Sequence, residues 1–252
     1  MDEQRTAIVT GAGKRIGADV VSALLERGWT VLAHVRREED KVPAGALAVA
    51  ADLDSPDCAE RIFAAAKDRP PVRLLVNNAA RFAWDSLGEF SPEEFDSHMH
   101  VNVRSPVLLM EALAKRHAGG DALVVNILDS KLAAPNADFL SYTLSKYALA
   151  GLTEMAARAL AMQGIRVNAI APALMLPSGE QDEPNFAAVH DLNPLRRGVR
   201  VTDVIAALRL LIDSPTMTGQ TLVLDGGQRF MALPRDVQFL SPSGDGQFLE
   251  AK

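Results

Sequence analysis

Thr6-Ala7-Ile8-Val9-Thr10-Gly11-Ala12-Gly13-Lys14-Arg15-Ile16-Gly17 is a short apolar, β-branched run that passes through three glycines into a segment of helical period. A strand that turns sharply into a helix through glycines brings bare backbone N–H groups and a helix N-terminus to one point, an arrangement suited to phosphate. Working outward from it, strand-like and helix-like runs alternate. They are Thr6–Thr10, Ala18–Arg27, Thr30–Val35, Pro56–Ala66, Leu74–Asn77, Pro92–Arg116, Ala122–Leu128, Ser141–Gln163, Arg166–Ile170, Thr202–Ile212 and Gln220–Leu224. Near-continuous apolar strands separated by helices indicate a parallel sheet buried on both faces, an α/β doubly wound fold. Two stretches are irregular, Leu174–Val199 and the tail after Gly227. The expected organisation is one domain over residues 1–228 with a C-terminal extension over 229–252.

The chain has 252 residues, 48% of them hydrophobic and 23% charged, enough for one sizeable core. Its net charge of −6 offers no general attraction to a phosphate backbone, so nucleic acid is not an expected partner. Cys58 stands alone, which excludes an intrachain disulfide or a cysteine-based zinc site, and no metal is expected. No export signal precedes the first strand and no apolar run approaches the ~20 residues of a membrane span, so a cytoplasmic protein is expected.

The glycine turn at the first βα junction points to a dinucleotide, with Gly11, Gly13, Lys14, Arg15, Ile16 and Gly17 at its phosphates. The second strand ends Ala33-His34-Val35-Arg36-Arg37, with no carboxylate before Glu38. An acid there would hold a ribose 2′-hydroxyl, whereas a cluster of cations suits a 2′-phosphate, so NADPH is favoured over NADH. The bland alternative is a solvated charge cluster. Asp52-Leu53, after a third strand, suits the adenine, though Asp52 could equally open a helix.

Tyr142 and Lys146 lie four apart on a helix and share one face, close enough for the ammonium to depress the phenol's pKa. Such a phenol is a proton donor for reduction of a carbonyl or imine. Thirteen residues before it stands Asp129. An ionised carboxylate only accepts hydrogen bonds, so it would repel the oxyanion of a reduced ketone but can accept N–H groups of a heterocycle. Alternatively Ser130, one place on, binds the substrate oxygen and Asp129 is a cap or ion-pair partner.

Thr10–Gly17, Asn77-Asn78-Ala79, Asn102, Tyr142-xxx-Lys146, Asn168 with Pro172, and Asp225-Gly226-Gly227 occur in an order that resembles the short-chain dehydrogenase/reductase family over about residues 6–228. The resemblance implies a Rossmann-type sheet of about seven strands and a nicotinamide cofactor also touched by Asn78, Ala79, Tyr142, Lys146 and Pro172. It further implies a homotetramer built on the helices holding Asn102 and Tyr142, with Asn102 bending its helix and serving a proton relay beyond Lys146. Within the family the chain is most similar to the pteridine reductase branch, including the dihydromonapterin reductases. Arg15 replaces the usual middle glycine, Asp129 the catalytic serine, and Phe82 follows the Asn-Asn-Ala turn. By that likeness Arg15 touches cofactor and substrate, Asp129 assists protonation, and Phe82 stacks the substrate on the nicotinamide. Ala80 and Ala173 depart from the pattern, as does the long tail.

Phe82 or Trp84 could stack on a flat ring. Leu174 and Met175 are expected at the substrate, Met175 opening with Leu176 and Pro177 either a lid or a hydrophobic loop core. The tail carries Pro234-Arg235-Asp236-Val237-Gln238-Phe239-Leu240, whose apolar residues suggest docking on a neighbouring subunit near its active site, against the alternative of a loose terminus. Three function classes follow: an NADPH-dependent pteridine reductase, an NADPH-dependent ketone reductase acting on a 3-oxoacyl thioester, sugar or other small carbonyl, and a non-catalytic dinucleotide-binding regulator.

Overall fold

The computed structural model describes residues 4–177, 181, 183–231, 233–242 and 248–250. The Ser/Gly-rich end of the extension at 243–247 lies outside them, as do residues 1–3. Strands β1 (Thr6–Val9), β2 (Thr30–Val35), β3 (Leu47–Ala50), β4 (Val72–Asn77), β5 (Ala122–Ile127), β6 (Ile165–Pro172) and β7 (Thr221–Leu224) form one parallel sheet. Their order is β3-β2-β1-β4-β5-β6-β7, the expected Rossmann-type arrangement. Chain direction across the sheet reverses between β1 and β4, which are paired through Val9 and Val76 at their C-terminal ends. At that switch point the following segments diverge to opposite faces and leave a crevice.

Seven helices flank the sheet among the described residues: α1 (Arg15–Glu26), α2 (Cys58–Ala64), α3 (Pro92–Met99), α4 (Ser105–Arg116), α5 (Leu140–Leu160), α6 (Glu183–His190) and α7 (Val201–Asp213). The two-residue period of a strand divides the core. Ala7 and Val9 join Val20, Leu24, Leu208 and Leu211 of α1 and α7 in one layer, whereas Ile8 joins Ile62, Leu109 and Leu113 of α2 and α4 in the other. The 204, 207, 208 and 211 positions of α7 are spaced for one buried helical face.

Three elements bear on the sequence expectation, the first at the helix bend that the family resemblance implies for Asn102. The helical run 92–116 is interrupted by a π-turn at His100–Arg104, centred on the buried Asn102. Such a turn frees backbone groups from the i−4 ladder, and periodicity alone does not reveal it. Within the irregular stretch 174–199, α6 forms although its apolar residues follow one another without a one-sided stripe, and only Val189 is buried. The described tail packs on its own chain: Arg235 pairs with Asp138, and β8 (Leu240–Pro242) pairs antiparallel with β9 (Phe248–Glu250). Among the described residues no helix is long and apolar enough to cross a membrane.

Leu211 is completely buried between α7 and the sheet. Leu211→Ala is expected to lower the free energy of unfolding by about 2–5 kcal/mol in urea titration. A loss well below about 1 kcal/mol would show that α7 contributes little clamping.

Candidate active site

A cleft of about 1040 Å³ runs over the C-terminal ends of the strands, from Arg36, Arg37 and Asp52 at one end to Asp129, Tyr142 and Met175 at the other. Its floor is the turn after β1. Gly11 sits at φ +64°, where a side chain would strain the backbone, and a Cβ on Gly17 would lie 2.1 Å from the Gly11 carbonyl oxygen. Glycine is therefore required for α1 to start this close to the strand, which also leaves the helix N-terminus open to the cleft. The turn is clasped from β4: Thr10 Oγ1 accepts from the backbone N–H groups of Asn78 and Ala79, both at 3.0 Å, and Asn78 Nδ2 donates to the Thr10 carbonyl at 2.9 Å.

Lys14, Arg15, Arg36 and Arg37 all line this cleft. Arg36 and Asp52 approach to 3.5 Å with both side chains largely exposed. Asp52 accepts from the Asp54 N–H in a tight turn and opens no helix, leaving the Asp52-Leu53 backbone along the cleft wall. His34 lines the cleft but offers it little, for its Nδ1 accepts from the Gly11 N–H at 3.2 Å and its Nε2 lies 2.9 Å from the Ala51 carbonyl. Those partners place the ring proton on Nε2, and burial pushes the imidazole's pKa down. Such a residue locks the turn to β2.

At the other end the Tyr142 hydroxyl donates to Asp129 Oδ2 at 3.0 Å, while Oδ1 of the same carboxylate accepts the Lys131 N–H at 2.8 Å and so caps the turn Ser130–Ala133. Asp129 is thus both a cap and the tyrosine's partner. Lys146 Nζ donates to the Ile127 carbonyl at 2.7 Å and lies 5.5 Å from the Tyr142 ring centre. The expectation that Lys146 depresses the phenol is corrected here. Burial, then the charge of Asp129 and its hydrogen bond, push Tyr142 well above an ordinary phenol, and burial lowers Lys146 to about 8 despite Asp129. The tyrosine is held as a neutral donor.

Two residues outside the cleft position this helix. Asn102 does not line it; its Oδ1 accepts from Arg81 N–H at 2.7 Å, and its Nδ2 donates to Ser145 Oγ at 2.9 Å, joining the β4 loop to α5. Asp85, unmarked by any motif, accepts from the Ser141 N–H at 2.9 Å and from the Ser141 hydroxyl, capping α5 from a loop 56 residues away. This cap stands in for the missing one at Phe139, which has φ +56° and no capping side chain.

Phe82 reaches the cleft whereas Trp84 does not. The Phe82 ring stacks on Phe139 at 4.3 Å and meets the Tyr142 ring edge-on at 4.7 Å. Pro172, Leu174 and Met175 close the upper wall, with Met175 packed into the α7 core layer, so lining and loop core coexist. Sequence reasoning missed Asp40, Gln228 and Arg229, which also line the cleft, and the tail residues Leu233, Arg235 and Asp236. No local motif marked Asp40, Gln228 or Arg229, since only long-range folding brings them there.

Residues 11–229 match the family model described as enoyl-(acyl carrier protein) reductase. The chain belongs to the short-chain dehydrogenase/reductase family of oxidoreductases. It is similar to L-xylulose reductase of Mus musculus, 34% identical over 236 residues, covering 88% of this chain and 96% of that one. Dihydromonapterin reductase of Klebsiella pneumoniae is 27% identical over 234 residues, covering 90% and 97%. Among solved structures, FolM alternative dihydrofolate reductase 1 from Brucella canis, complexed with NADP, superposes with a TM-score of 0.86 at 36% identity, covering 91% of this chain and 96% of that one. The likenesses to dihydromonapterin reductase and to FolM support the pteridine reductase-like branch named above.

Lys146 has a consequence for stability. Between about pH 8 in the folded chain and the ordinary lysine value of about 10.4, the unfolded chain holds a proton that the folded chain has released. Unfolding free energy should therefore rise with pH across that window from this group alone. Denaturation at pH 8 and pH 10 should show a steeper rise for wild type than for Lys146→Met, and equal slopes would contradict the burial effect.

Proposed function

We propose that this chain is an NADPH-dependent reductase that delivers hydride to a C=N or C=O bond, with a pteridine or dihydropteridine as substrate. The observation that carries the substrate class is the Asp129 carboxylate, 3.0 Å from the Tyr142 hydroxyl. It presents acceptors where reduction of a simple ketone would need a donor for the oxyanion, and so it suits a ring bearing N–H groups. The likeness to the dihydromonapterin reductase and to the NADP complex of FolM supports both halves of the reading.

The glycine cradle and the basic end of the cleft fit NADPH. Gly11, Gly13, Gly17 and the N-terminus of α1 would hold the pyrophosphate, and Lys14, Arg15, Arg36 and Arg37 the 2′-phosphate. Asp52 and Leu53 would border the adenine, with Asn78, Ala79 and Pro172 along the remainder and Lys146 at the nicotinamide ribose. The bound cofactor supplies the hydride. Tyr142, kept neutral by burial and by Asp129, gives its proton to the substrate nitrogen or oxygen as that atom becomes basic. Lys146 then faces the phenolate left behind. Asp129 stands ready to accept a ring N–H, with Phe82, Leu174 and Met175 as apolar walls. Asn102 acts through Ser145 and Arg81, as a positioning residue.

A second reading, reduction of a sugar ketone or other small carbonyl, is favoured by the L-xylulose reductase relatives and by Ser130 beside Asp129 in the cleft. There the serine hydroxyl would donate to the oxygen.

NADPH oxidation followed against dihydrobiopterin, dihydromonapterin, dihydrofolate, L-xylulose and a simple diketone decides between them. We expect kcat/KM for a dihydropteridine to exceed the others, and the reverse order would transfer the protein to the carbonyl reading. Asp129→Ser should lose pteridine turnover by about 100-fold or more with NADPH affinity retained. Unchanged turnover would reduce Asp129 to a cap. Arg36→Glu should weaken NADPH binding by about tenfold or more, and NADH binding much less. An equal loss for both cofactors would remove the 2′-phosphate contact.

A further inference from the structure

The extension brings a second carboxylate to the substrate end of the cleft. Arg235 forms an ion pair with Asp138 at 2.8 Å, and the Asp236 N–H donates to Asp138 Oδ2 at 2.8 Å. This clasp fixes Asp236 against the cleft with only 19% of its side chain exposed. One residue then joins the two acids. Lys131 gives its backbone N–H to Asp129 Oδ1 at 2.8 Å and its ammonium to Asp236 Oδ2 at 3.2 Å. The same segment lays Phe239 parallel to Phe139 at 5.9 Å, and Phe139 backs Phe82, so the tail extends the aromatic wall.

Resting on the reading of this cleft as the substrate end of a reductase, we propose that Asp236 is a substrate-binding residue that acts with Asp129 to select a planar heterocycle carrying adjacent ring N–H and amine groups. The chemistry of the wall argues for that class. Two carboxylates offer acceptors only, with Lys131 and the Lys146 ammonium as their cations, so the wall meets an N–H-rich edge with acceptors and no competing donor carboxyl. A simple diketone has no N–H or O–H group to give to a second acceptor. Burial and the facing Asp129 push the Asp236 carboxyl up while Lys131 draws it down, and an incoming N–H edge would relieve that strain.

The test uses full-length Asp236→Asn, checked for fold by circular dichroism, with Asp236→Ser as the substitute if the amide variant does not fold. Steady-state kinetics give kcat and KM for a dihydropteridine and a diketone, and fluorescence titration gives the Kd of 2,4-diaminopteridine on the NADP-bound protein. Loss of a hydrogen bond to a charged group should raise the dihydropteridine KM and the 2,4-diaminopteridine Kd by about tenfold or more, with kcat changed far less. The kcat/KM ratio of pteridine over diketone should fall accordingly. Unchanged KM and Kd in the folded variant, or equal losses on both substrates, would overturn the assignment. So would a wild-type protein that does not bind the diaminopteridine. Asp236-dependent binding in a protein that turns over only diketones would instead remove the proposed function and leave this residue's role standing.

Discussion

Thr10, at the end of β1, receives two backbone N–H groups from the turn after β4 through one hydroxyl, and Asn78 from that turn returns its amide to the carbonyls of Thr10 and Gly11. These bonds cross the point where the strand order reverses. They keep the two loops at a fixed separation, so the crevice that any doubly wound sheet opens there has rigid lips. Deeper in the sheet, Asn77 Nδ2 donates to Asn126 Oδ1, and Asn126 Nδ2 to Thr153 Oγ1, carrying the same order from β4 through β5 into α5. Buried amides tied into a chain of this kind resist displacement, because any shift would strand a polar group out of water.

The reacting end depends on that frame and on α5. The helix begins after a left-handed Phe139 without a cap of its own, and Asp85 reaches in from the β4 loop to supply one. The same loop is held by the two-pronged Arg81–Glu94 pair and by Asn102 in the π-turn. The position of the Tyr142 hydroxyl against Asp129 is therefore set from two sides, by the loop that caps its helix and by the turn that the carboxylate itself caps. Structural cap and tyrosine partner are the two oxygens of one carboxylate.

In this pocket burial and the Asp129 charge push the Tyr142 phenol up, the opposite of the effect expected from Lys146. Lys146 spends its ammonium on the Ile127 carbonyl, and the nearest charge to the phenol is negative. A neutral tyrosine next to a carboxylate is still a proton donor, but one whose acidity must be drawn out by the substrate's own growing basicity.

Much of this was legible along the chain, since it rests on local rules. The two-residue alternation at Ala7, Ile8 and Val9, the glycines that only a tight strand-to-helix turn demands, and the four-residue spacing of Tyr142 and Lys146 each carry their geometry within a few residues. β3 and α6 were less visible because their short segments lack a strong period, and the π-turn because it preserves the apolar pattern of the helix it interrupts. What the sequence by itself determined is the sheet, its cradle and the candidate groups Tyr142, Lys146 and Asp129. Only the tertiary structure decided their electrostatics and company: that Asp129 and burial, not Lys146, govern the phenol, that Asp85 caps α5, and that Asp236 returns to the cleft over a hundred residues beyond Asp129. Burial and long-range pairing are properties of the folded surroundings, and no local spacing encodes them.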